Sequence, residues 1–342
     1  MKTIICFGGS FNPPHLAHLK IALVAKRYLQ AQEVWFIPTL ESPLKEQTLA
    51  PFEHRAQMIE IMIKAYRKLK VCRIESSLMA PSYTIQTVRA LQNLYPDYKF
   101  VWLIGSDQAM QFDAWKEAEA LKQMIQFIVY RRALQDVIPV DMMEIKHQQI
   151  YLMSSTLIRE GSIEYCPKTV RRYILDHELY LEAIAQSQVS SKRWKHVLAM
   201  TELALELASA HQIDLHLVYV AALFHDCAKE WTYEESKKWL EVICPEDLNS
   251  HPALWHQKLG AFWMKQNFNR VNPEILKAIA HHVVGLNKDA ITQLIYIADK
   301  CDKTRGYDSS TLLSIAFQDL NRGYQAVRQH QINYLNQEEN LT

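Results

Sequence analysis

Two histidines placed three residues apart follow a pair of glycines near the start of the chain. Gly8 and Gly9 come directly after the apolar run 4–7, and His15 and His18 stand where a helical pattern begins. A strand, a glycine turn and a helix in this order let backbone N–H groups approach a phosphate, because no Cβ stands in the way. Imidazoles at positions i and i+3 would lie on the same side of that phosphate. The pattern therefore predicts transfer of a nucleotidyl group at this turn.

A second group of residues, far along the chain, could hold a metal ion. His225 and Asp226 are adjacent at the end of an apolar helical run, with His196 upstream and Asp299 downstream. Two imidazoles and two carboxylates form a mixed nitrogen and oxygen ligand set that suits iron, manganese or zinc. Such a site requires no thiol, in keeping with the six scattered cysteines of the chain.

Alternating strand and helix patterns must position the first site. Up to about residue 180, five β-rich runs are each followed by a turn or a helix-like stretch. This alternation indicates an α/β fold with an open parallel sheet, whose ligands bind outside the carboxyl ends of the strands. The predicted strands are 3–7, 33–37, 71–74, 100–104 and 126–129.

Only helical periodicity remains from about residue 192, so the second site is expected in an all-α domain. We predict two domains, residues 1–182 and 188–342, joined by a polar stretch, 184–191, that is either a linker or a helical extension. The predicted helices of the second domain are 194–210, 217–228, 234–242, 255–266, 273–282, 292–300 and 312–320.

The composition excludes several classes of partner. The 342 residues carry a formal net charge of +1, so no global field attracts nucleic acid or an anionic membrane. No segment is apolar for long enough to span a membrane, and the cysteine pattern suits a reducing compartment. We expect a cytoplasmic enzyme, and the sequence leaves open whether it forms a homo-oligomer.

The segment from Gly8 to His18 resembles the signature of the nucleotidyltransferase superfamily, in its nicotinate-nucleotide adenylyltransferase (NadD) branch. Ala17 stands where that branch has glycine, Gln86 where it has an acid, and Met153 where it has isoleucine. Further strings that match in order and spacing are 43–45, 52–58, 81–87, 105–115 and 154–159.

This resemblance implies a Rossmann-like domain that joins ATP and nicotinate mononucleotide to give deamido-NAD and pyrophosphate, with Mg²⁺ on the leaving group. Catalysis would consist of positioning and charge stabilisation, and Trp115 would stack on the pyridinium ring. Nicotinamide mononucleotide or phosphopantetheine remain alternative acceptors. The implied catalytic residues are His15, His18, Lys45 and Arg159. The implied nucleotide-binding residues are Gly8, Gly9, Ser10, Phe11, Tyr83, Thr84, Gly105, Asp107, Trp115, Arg131, Ser154, Ser155 and Thr156.

The ordered histidines and aspartates after residue 188 resemble the HD phosphohydrolase superfamily, in the YqeK branch that hydrolyses diadenosine tetraphosphate to two ADP. Val283-Val284 replaces two threonines of that branch, and Cys301-Asp302-Lys303 replaces Ile-Glu-Pro. A metal-bound water would be the nucleophile. The implied metal ligands, for iron or else manganese or zinc, are His196, His225, Asp226 and Asp299. The implied nucleotide-binding residues are Arg193, Lys229, His256, His282, Asp302 and Arg305, and His256 and His282 could instead hold a second ion.

Two alternatives remain for the second domain. It could be a non-catalytic nucleotide sensor that regulates the first domain, or it could hydrolyse another nucleotide. The complete set of metal ligands favours catalysis, because a sensor has no need of them.

Overall fold

A computed structural model describes residues 1–41, 49–146, 149–285 and 289–339. The chain divides into two compact units, Met1–Tyr173 and Ile174–Thr342, and the division falls inside one helix. The functional limits of 1–182 and 188–342 stay a prediction.

The first unit is built on a six-stranded sheet in which every neighbouring pair is parallel, in the order β3-β2-β1-β4-β5-β6. This confirms the open parallel sheet. The strands are β1 (Lys2–Gly9), β2 (Glu33–Pro38), β3 (Leu69–Val71), β4 (Tyr98–Gly105), β5 (Gln126–Tyr130) and β6 (Met143–Glu144).

The central strand β1 pairs on both sides. Cys6 lies opposite Trp35 of β2 and opposite Trp102 of β4. The chain runs outward from β1 in one direction through β2 and β3, and in the other through β4, β5 and β6. A cleft opens at such a reversal of strand order, beyond the carboxyl ends of the two diverging strands. Here those ends are Gly8-Gly9 and Gly105.

Helices connect the strands of this unit and shield the apolar strands from water. They are α1 (Leu16–Tyr28), α2 (Phe52–Ile63), α3 (Thr84–Leu94), α4 (Ser106–Ala109), α5 (Ala118–Met124), α6 (Ser155–Arg159) and α7 (Lys168–Asp176), with 3₁₀ turns at Ile74–Ser77, Phe112–Ala114 and Ile163–Tyr165.

Two strands differ from prediction. The third is shorter and earlier than 71–74, because the chain enters a 3₁₀ turn that carries the carboxylate of Glu75 to the backbone N–H of Leu40. Strand β6 has only two residues, too few to leave an alternating pattern in the sequence.

The second unit is helical, as predicted. Its helices are α8 (Leu181–Gln186), α9 (Ser191–Ala210), α10 (Leu215–Phe224), α11 (Tyr233–Ile243), α12 (Trp255–Asn267), α13 (Pro273–His281), α14 (Ala290–Cys301), α15 (Ser310–Gln318) and α16 (Leu320–Glu339), with 3₁₀ turns at Pro245–Asn249 and Pro252–Leu254. Side-chain caps fix several starts: the oxygens of Ser190, Asp214, Thr232, Asn272 and Asp289 each accept a backbone N–H.

Two boundaries in this unit differ from prediction. The stretch 184–191 divides between the two alternatives: α8 continues to Gln186, residues 187–190 are not helical, and α9 begins at Ser191. The long helix α16 was not predicted, because its polar sequence has little apolar periodicity. Among the residues described, no helix combines the length and apolar character needed to cross a bilayer.

Candidate active sites

Two adjoining cavities lie at the carboxyl edge of the sheet, at the reversal of strand order. The larger has a volume of about 460 Å³ and the smaller about 150 Å³. Both are lined by Gly8, Gly9, Ser10, Gln108 and Trp115, so the turn after β1 separates them. The predicted residues that line the larger cavity also include Phe11, His15, His18, Gly105, Asp107, Ser154, Ser155, Thr156 and Arg159. Lys45 lies outside the described residues.

The glycines that end β1 and β4 allow close packing there. A Cβ on Gly8 would lie 2.9 Å from the indole ring of Trp102, and one on Gly105 would lie 2.9 Å from the side chain of Arg132. Both distances are too short for a real Cβ atom. Glycine at these two positions therefore lets the backbone itself form the cavity wall.

His15 and His18 lie together at the start of α1, as predicted. Their rings are stacked, with centroids 3.6 Å apart. The backbone N–H of His15 donates to Nδ1 of His18 at 3.1 Å. Nδ1 of a neutral His18 is therefore the unprotonated nitrogen, and the proton is on Nε2. Phe11 presents an edge to the His18 ring at 4.9 Å and helps to fix its orientation.

His15 is held neutral. Burial, together with the nearby charge of Arg132, lowers its pKa to about 3. Within the described residues, Nδ1 of His15 and Oδ1 of Asp107 are buried without a hydrogen-bond partner. Buried polar atoms are normally paired. Both residues line the larger cavity, so a small movement would let these atoms meet a polar ligand.

Of the two arginines after β5, Arg132 lines the larger cavity, whereas the predicted Arg131 does not. Successive side chains at a strand end point to opposite sides. The Nε of Arg131 pairs with Glu144 on β6 at 2.7 Å, away from the cavity. Arg132 lines the large cavity, where one of its terminal nitrogens lies 2.9 Å from Asp107. The sequence placed two arginines here, but which one faces the ligand depends on where the strand ends.

The start of α6 forms another wall of the large cavity. The hydroxyl of Ser154 accepts the backbone N–H of Leu157 and so caps the helix. Ser155 donates to the carbonyl of Pro13, and Arg159 donates to the carbonyl of Asn12. These bonds tie the helix to the turn after β1, although the two segments lie far apart in the sequence.

The smaller cavity is lined by aromatic and hydroxyl side chains. Three residues predicted to bind nucleotide, Tyr83, Thr84 and Trp115, line it, and Trp115 also packs on Phe112. The hydroxyl of Thr39 is buried in the same wall and has no hydrogen-bond partner in the part of the chain described. Thr39 was not predicted as a site residue, although it directly follows a strand end.

Glu75 was also missed, and it organises the smaller cavity. Its carboxylate accepts hydrogen bonds from Ser82 at 2.5 Å, from Thr87 at 3.0 Å and from the N–H of Leu40 at 3.1 Å. Burial raises the pKa of Glu75 although these donors oppose the shift. The group therefore joins the loop before α3 to the end of β2.

In the second unit, four buried histidines each have an oxygen acceptor at Nδ1. The Nδ1 atoms of His225, His256 and His282 each donate to a backbone carbonyl three residues earlier, at 2.6, 2.8 and 2.7 Å. Nδ1 of His196 contacts the Asp302 carboxylate at 3.1 Å. A carbonyl or carboxylate only accepts, so Nδ1 carries the proton and each Nε2 keeps a free lone pair.

These four Nε2 atoms converge on Asp226. Those of His196 and His225 are 3.3 Å apart and face Oδ2 of Asp226, at 3.9 and 3.5 Å. Those of His256 and His282 are 3.2 Å apart and face Oδ1, at 3.3 and 3.6 Å. Neutral Nε2 atoms and carboxylate oxygens are all acceptors, so a cation between them would bind favourably. The donor set fits two metal positions bridged by Asp226, formed by His196-His225-Asp226 and Asp226-His256-His282.

Asp299 completes the predicted set from the side of α14. Its Oδ1 lies 3.2 Å from Nε2 of His196 and 3.8 Å from that of His225. Lys300 pairs with its Oδ2 at 2.7 Å, and Arg305 bonds to Oδ1. Both cations also line a cavity of about 890 Å³ with Val283, Val284, Tyr296, Tyr307 and residues of α16.

Electrostatics in this cluster favour ionised aspartates. Burial opposes the charge of Asp226, but positive charge at His225 and hydrogen bonds from His225, His256 and His282 hold its pKa well below the usual range. With Nε2 unprotonated, a bound cation would take over this role. Burial lowers the pKa of His282 to about 4. For His196, burial also opposes the charge, but contacts with Asp299 and Asp302 raise the pKa.

The remaining predicted residues lie around the cluster, with one correction. Arg193 pairs with Asp226 at 3.2 Å, and Lys229 lies 3.4 Å from His256. Asp302 was predicted to bind nucleotide, but its carboxylate is buried behind His196 and is also bonded by Thr304. The sharp end of α14 turns this carboxylate inward, which a sequence string does not reveal.

Comparisons with known proteins agree with this two-part organisation. Residues 6–161 match the cytidylyltransferase-like family, and residues 193–304 match the HD domain family. The chain is 28% identical to the "Probable nicotinate-nucleotide adenylyltransferase/Ap4A hydrolase" of Mycoplasma pneumoniae over 93% of this chain and 96% of that protein. It is 37% identical to the "Probable nicotinate-nucleotide adenylyltransferase" of Oceanobacillus iheyensis, over 53% of this chain and 97% of that protein. A solved structure from Clostridium acetobutylicum, described as a predicted HD superfamily hydrolase involved in NAD metabolism, matches with 25% identity and a TM-score of 0.43, covering 46% of this chain and 87% of that one.

Fold, cavities and matched families together define a nucleotidyltransferase domain followed by an HD domain. Within that class, the chain belongs to the nicotinate-nucleotide adenylyltransferase family, and it shares the two-domain form of the Mycoplasma proteins.

Proposed function

We propose that the first unit transfers the adenylyl group of ATP to nicotinate mononucleotide, giving deamido-NAD and pyrophosphate. The observation that carries this proposal is the pair of cavities that meet at Gly8-Gly9, with His15 and His18 in the larger one. Their sizes suit ATP and the pyridine end of the acceptor. The relative from Oceanobacillus iheyensis is named for the same reaction.

The proposed roles follow from charge and proton position. His18 donates from Nε2 to the polyphosphate, because its Nδ1 accepts the backbone N–H of His15. Arg132 and Arg159 offset the negative charge that builds up on the α-phosphate and pyrophosphate. The attacking group is the phosphate oxygen of the acceptor, so the protein provides no nucleophile. Mg²⁺ bound with ATP would offset charge on the leaving pyrophosphate.

The test is chromatography of the purified chain with ATP, Mg²⁺ and nicotinate mononucleotide. We expect deamido-NAD and pyrophosphate in equal amounts, and His18→Ala should reduce the rate about 100-fold or more. Circular dichroism spectra and thermal unfolding of His18→Ala beside wild type serve as the folding control. Absence of deamido-NAD from the wild-type reaction would refute the proposal.

For the second unit we propose metal-dependent, symmetrical hydrolysis of diadenosine tetraphosphate to two ADP. The carrying observation is the convergence of four Nε2 atoms on the two oxygens of Asp226. Iron, manganese or zinc fits this ligand set. A bound ion of this kind lowers the pKa of coordinated water and polarises a phosphoryl oxygen. The Mycoplasma pneumoniae relative is named as an Ap4A hydrolase, which supports the choice of substrate.

The residues around the cluster would hold and orient the substrate. Arg193, Lys229, Lys300 and Arg305 bring four cations to the rim, as a tetraphosphate requires. The neighbouring cavity of about 890 Å³, with Tyr296 and other aromatic side chains, has room for a nucleoside.

Product analysis with Fe²⁺ or Mn²⁺ tests this half. ADP should be the sole product, and Asp226→Ala should abolish its formation because the residue serves both metal positions. AMP and ATP as products would show asymmetric cleavage. Intact substrate with every metal would favour the alternatives, a nucleotide sensor or a hydrolase of another nucleotide.

A further inference from the structure

The smaller cavity contains a charged side chain that no motif accounts for. Lys116 directly follows Trp115 and lines this cavity together with Tyr83 and Thr84. Its Nζ lies 4.3 Å from the centroid of the Tyr83 ring. A cation in this position is attracted by the face of the ring, which holds it over the cavity.

The two charged side chains that line this cavity, Glu75 and Lys116, differ in whether they are available to bind a ligand. The Glu75 carboxylate is committed to three donors, Ser82, Thr87 and the N–H of Leu40. Lys116 forms no ion pair with any carboxylate in the described part of the chain. Its positive charge is therefore the one available to a ligand that enters.

Resting on the proposed function of the first unit, we infer that Lys116 selects the acid form of the pyridine nucleotide over the amide. A nicotinate ring held beside Trp115 carries a carboxylate, and that carboxylate pairs with the Lys116 ammonium. The nicotinamide ring is about the same size, but its carboxamide carries no charge and cannot form an ion pair with Lys116. The buried, unpaired hydroxyl of Thr39 in the same wall serves either form, because it can donate to a carboxylate or to an amide oxygen.

The size of the effect follows from the exposure of Lys116. The side chain is exposed in this structure, so water screens the pair in part. A charge-assisted hydrogen bond in such a setting corresponds to about a tenfold preference. Lys116 should therefore change kcat/KM for the acid and leave that for the amide nearly constant.

The experiment measures kcat/KM for nicotinate and nicotinamide mononucleotide, with ATP saturating, in the full chain and three variants. Lys116→Met should lose about tenfold with the acid and little with the amide, and Lys116→Arg should retain the preference. Lys122→Met is the matched control, because Lys122 also lies over an aromatic ring, Phe112, but lines neither cavity. An unchanged acid-to-amide ratio in Lys116→Met would overturn the inference.

A binding measurement separates this inference from the proposed reaction. Calorimetric titration of each mononucleotide into wild type and Lys116→Met gives the ratio of affinities without turnover. If the wild type adenylylates neither acceptor, the proposed function fails. A preference of the wild type for the acid that disappears in Lys116→Met would still support the role of Lys116 in recognition. Equal affinities of the wild type for both forms would refute it.

Discussion

The carboxylate of Asp302 lies 3.1 Å from Nδ1 of His196, on the side of the ring that faces away from the other histidines. This contact fixes the proton on Nδ1 and leaves Nε2 as a ligand atom. A carboxylate behind a metal-binding histidine also increases the basicity of the ring.

Asp302→Asn should therefore weaken metal binding by about tenfold or more. The measurement is metal retained after dialysis against a competing chelator, which does not depend on turnover. Asp308→Asn is a matched control, because Asp308 lies in the same loop and its carboxylate is bonded by Ser310 rather than by a histidine. Equal retention in the two variants would contradict the assigned role, whereas Asp302→Glu should restore binding in part.

The two triads that share Asp226 predict the number of bound ions. Wild-type protein loaded with Mn²⁺ should contain two equivalents, and His282→Ala should contain one, since it removes a ligand from one triad only. Asp226→Ala should lose tight binding at both positions. Elemental analysis of the desalted proteins checks this, and a wild type with a single equivalent would show that only one triad binds an ion.

Adjacent arginines after β5 should differ sharply in their effect on adenylyl transfer. Arg132→Met should reduce kcat/KM about tenfold or more, because it removes a cation from the large cavity. Arg131→Met should change kcat/KM little, since its partner Glu144 lies outside that cavity. Steady-state kinetics with ATP varied would separate the two, and the opposite order would restore the original sequence prediction.

His15 should make the stability of the first unit depend on pH. Its pKa is about 3 in the folded protein, against an ordinary value of 6.5, because of burial and Arg132. Between these values the unfolded chain binds a proton that the folded chain does not. The free energy of unfolding therefore falls as pH falls through this window, and the contribution is fully present above pH 6.5.

Urea denaturation across that window checks the expectation. His15→Asn should show a shallower decline than wild type. Parallel curves for His15→Asn and wild type would contradict the low pKa of His15.

Short sequence motifs predicted the site residues that lie within one motif. They did not predict the residues whose place in a site depends on how distant segments pack together. The glycine turn with His15 is one short motif, and the His225-Asp226 pair is another. Each consists of residues close together in sequence, and in the structure His18 lies beside the first and His196 and Asp299 lie beside the second. The choice between Arg131 and Arg132 depends on the residue at which β5 ends. Lys116 contributes only because α3 and the segment after β4 meet around one cavity, a contact between distant parts of the chain.

Because β1 lies between β2 and β4, the large cavity of the first unit cannot form until β4 has been synthesised. One rim of the large cavity is made by residues 8–18, which are synthesised before the other rim, and that other rim is made by the end of β4 and by α6, which reach residue 159. A growing chain that has not yet reached β4 lacks both a neighbour for its central strand and half of its binding surface. The capacity to bind nucleotide should therefore arise in one step, late in the synthesis of the unit, rather than strengthen gradually as each strand is added.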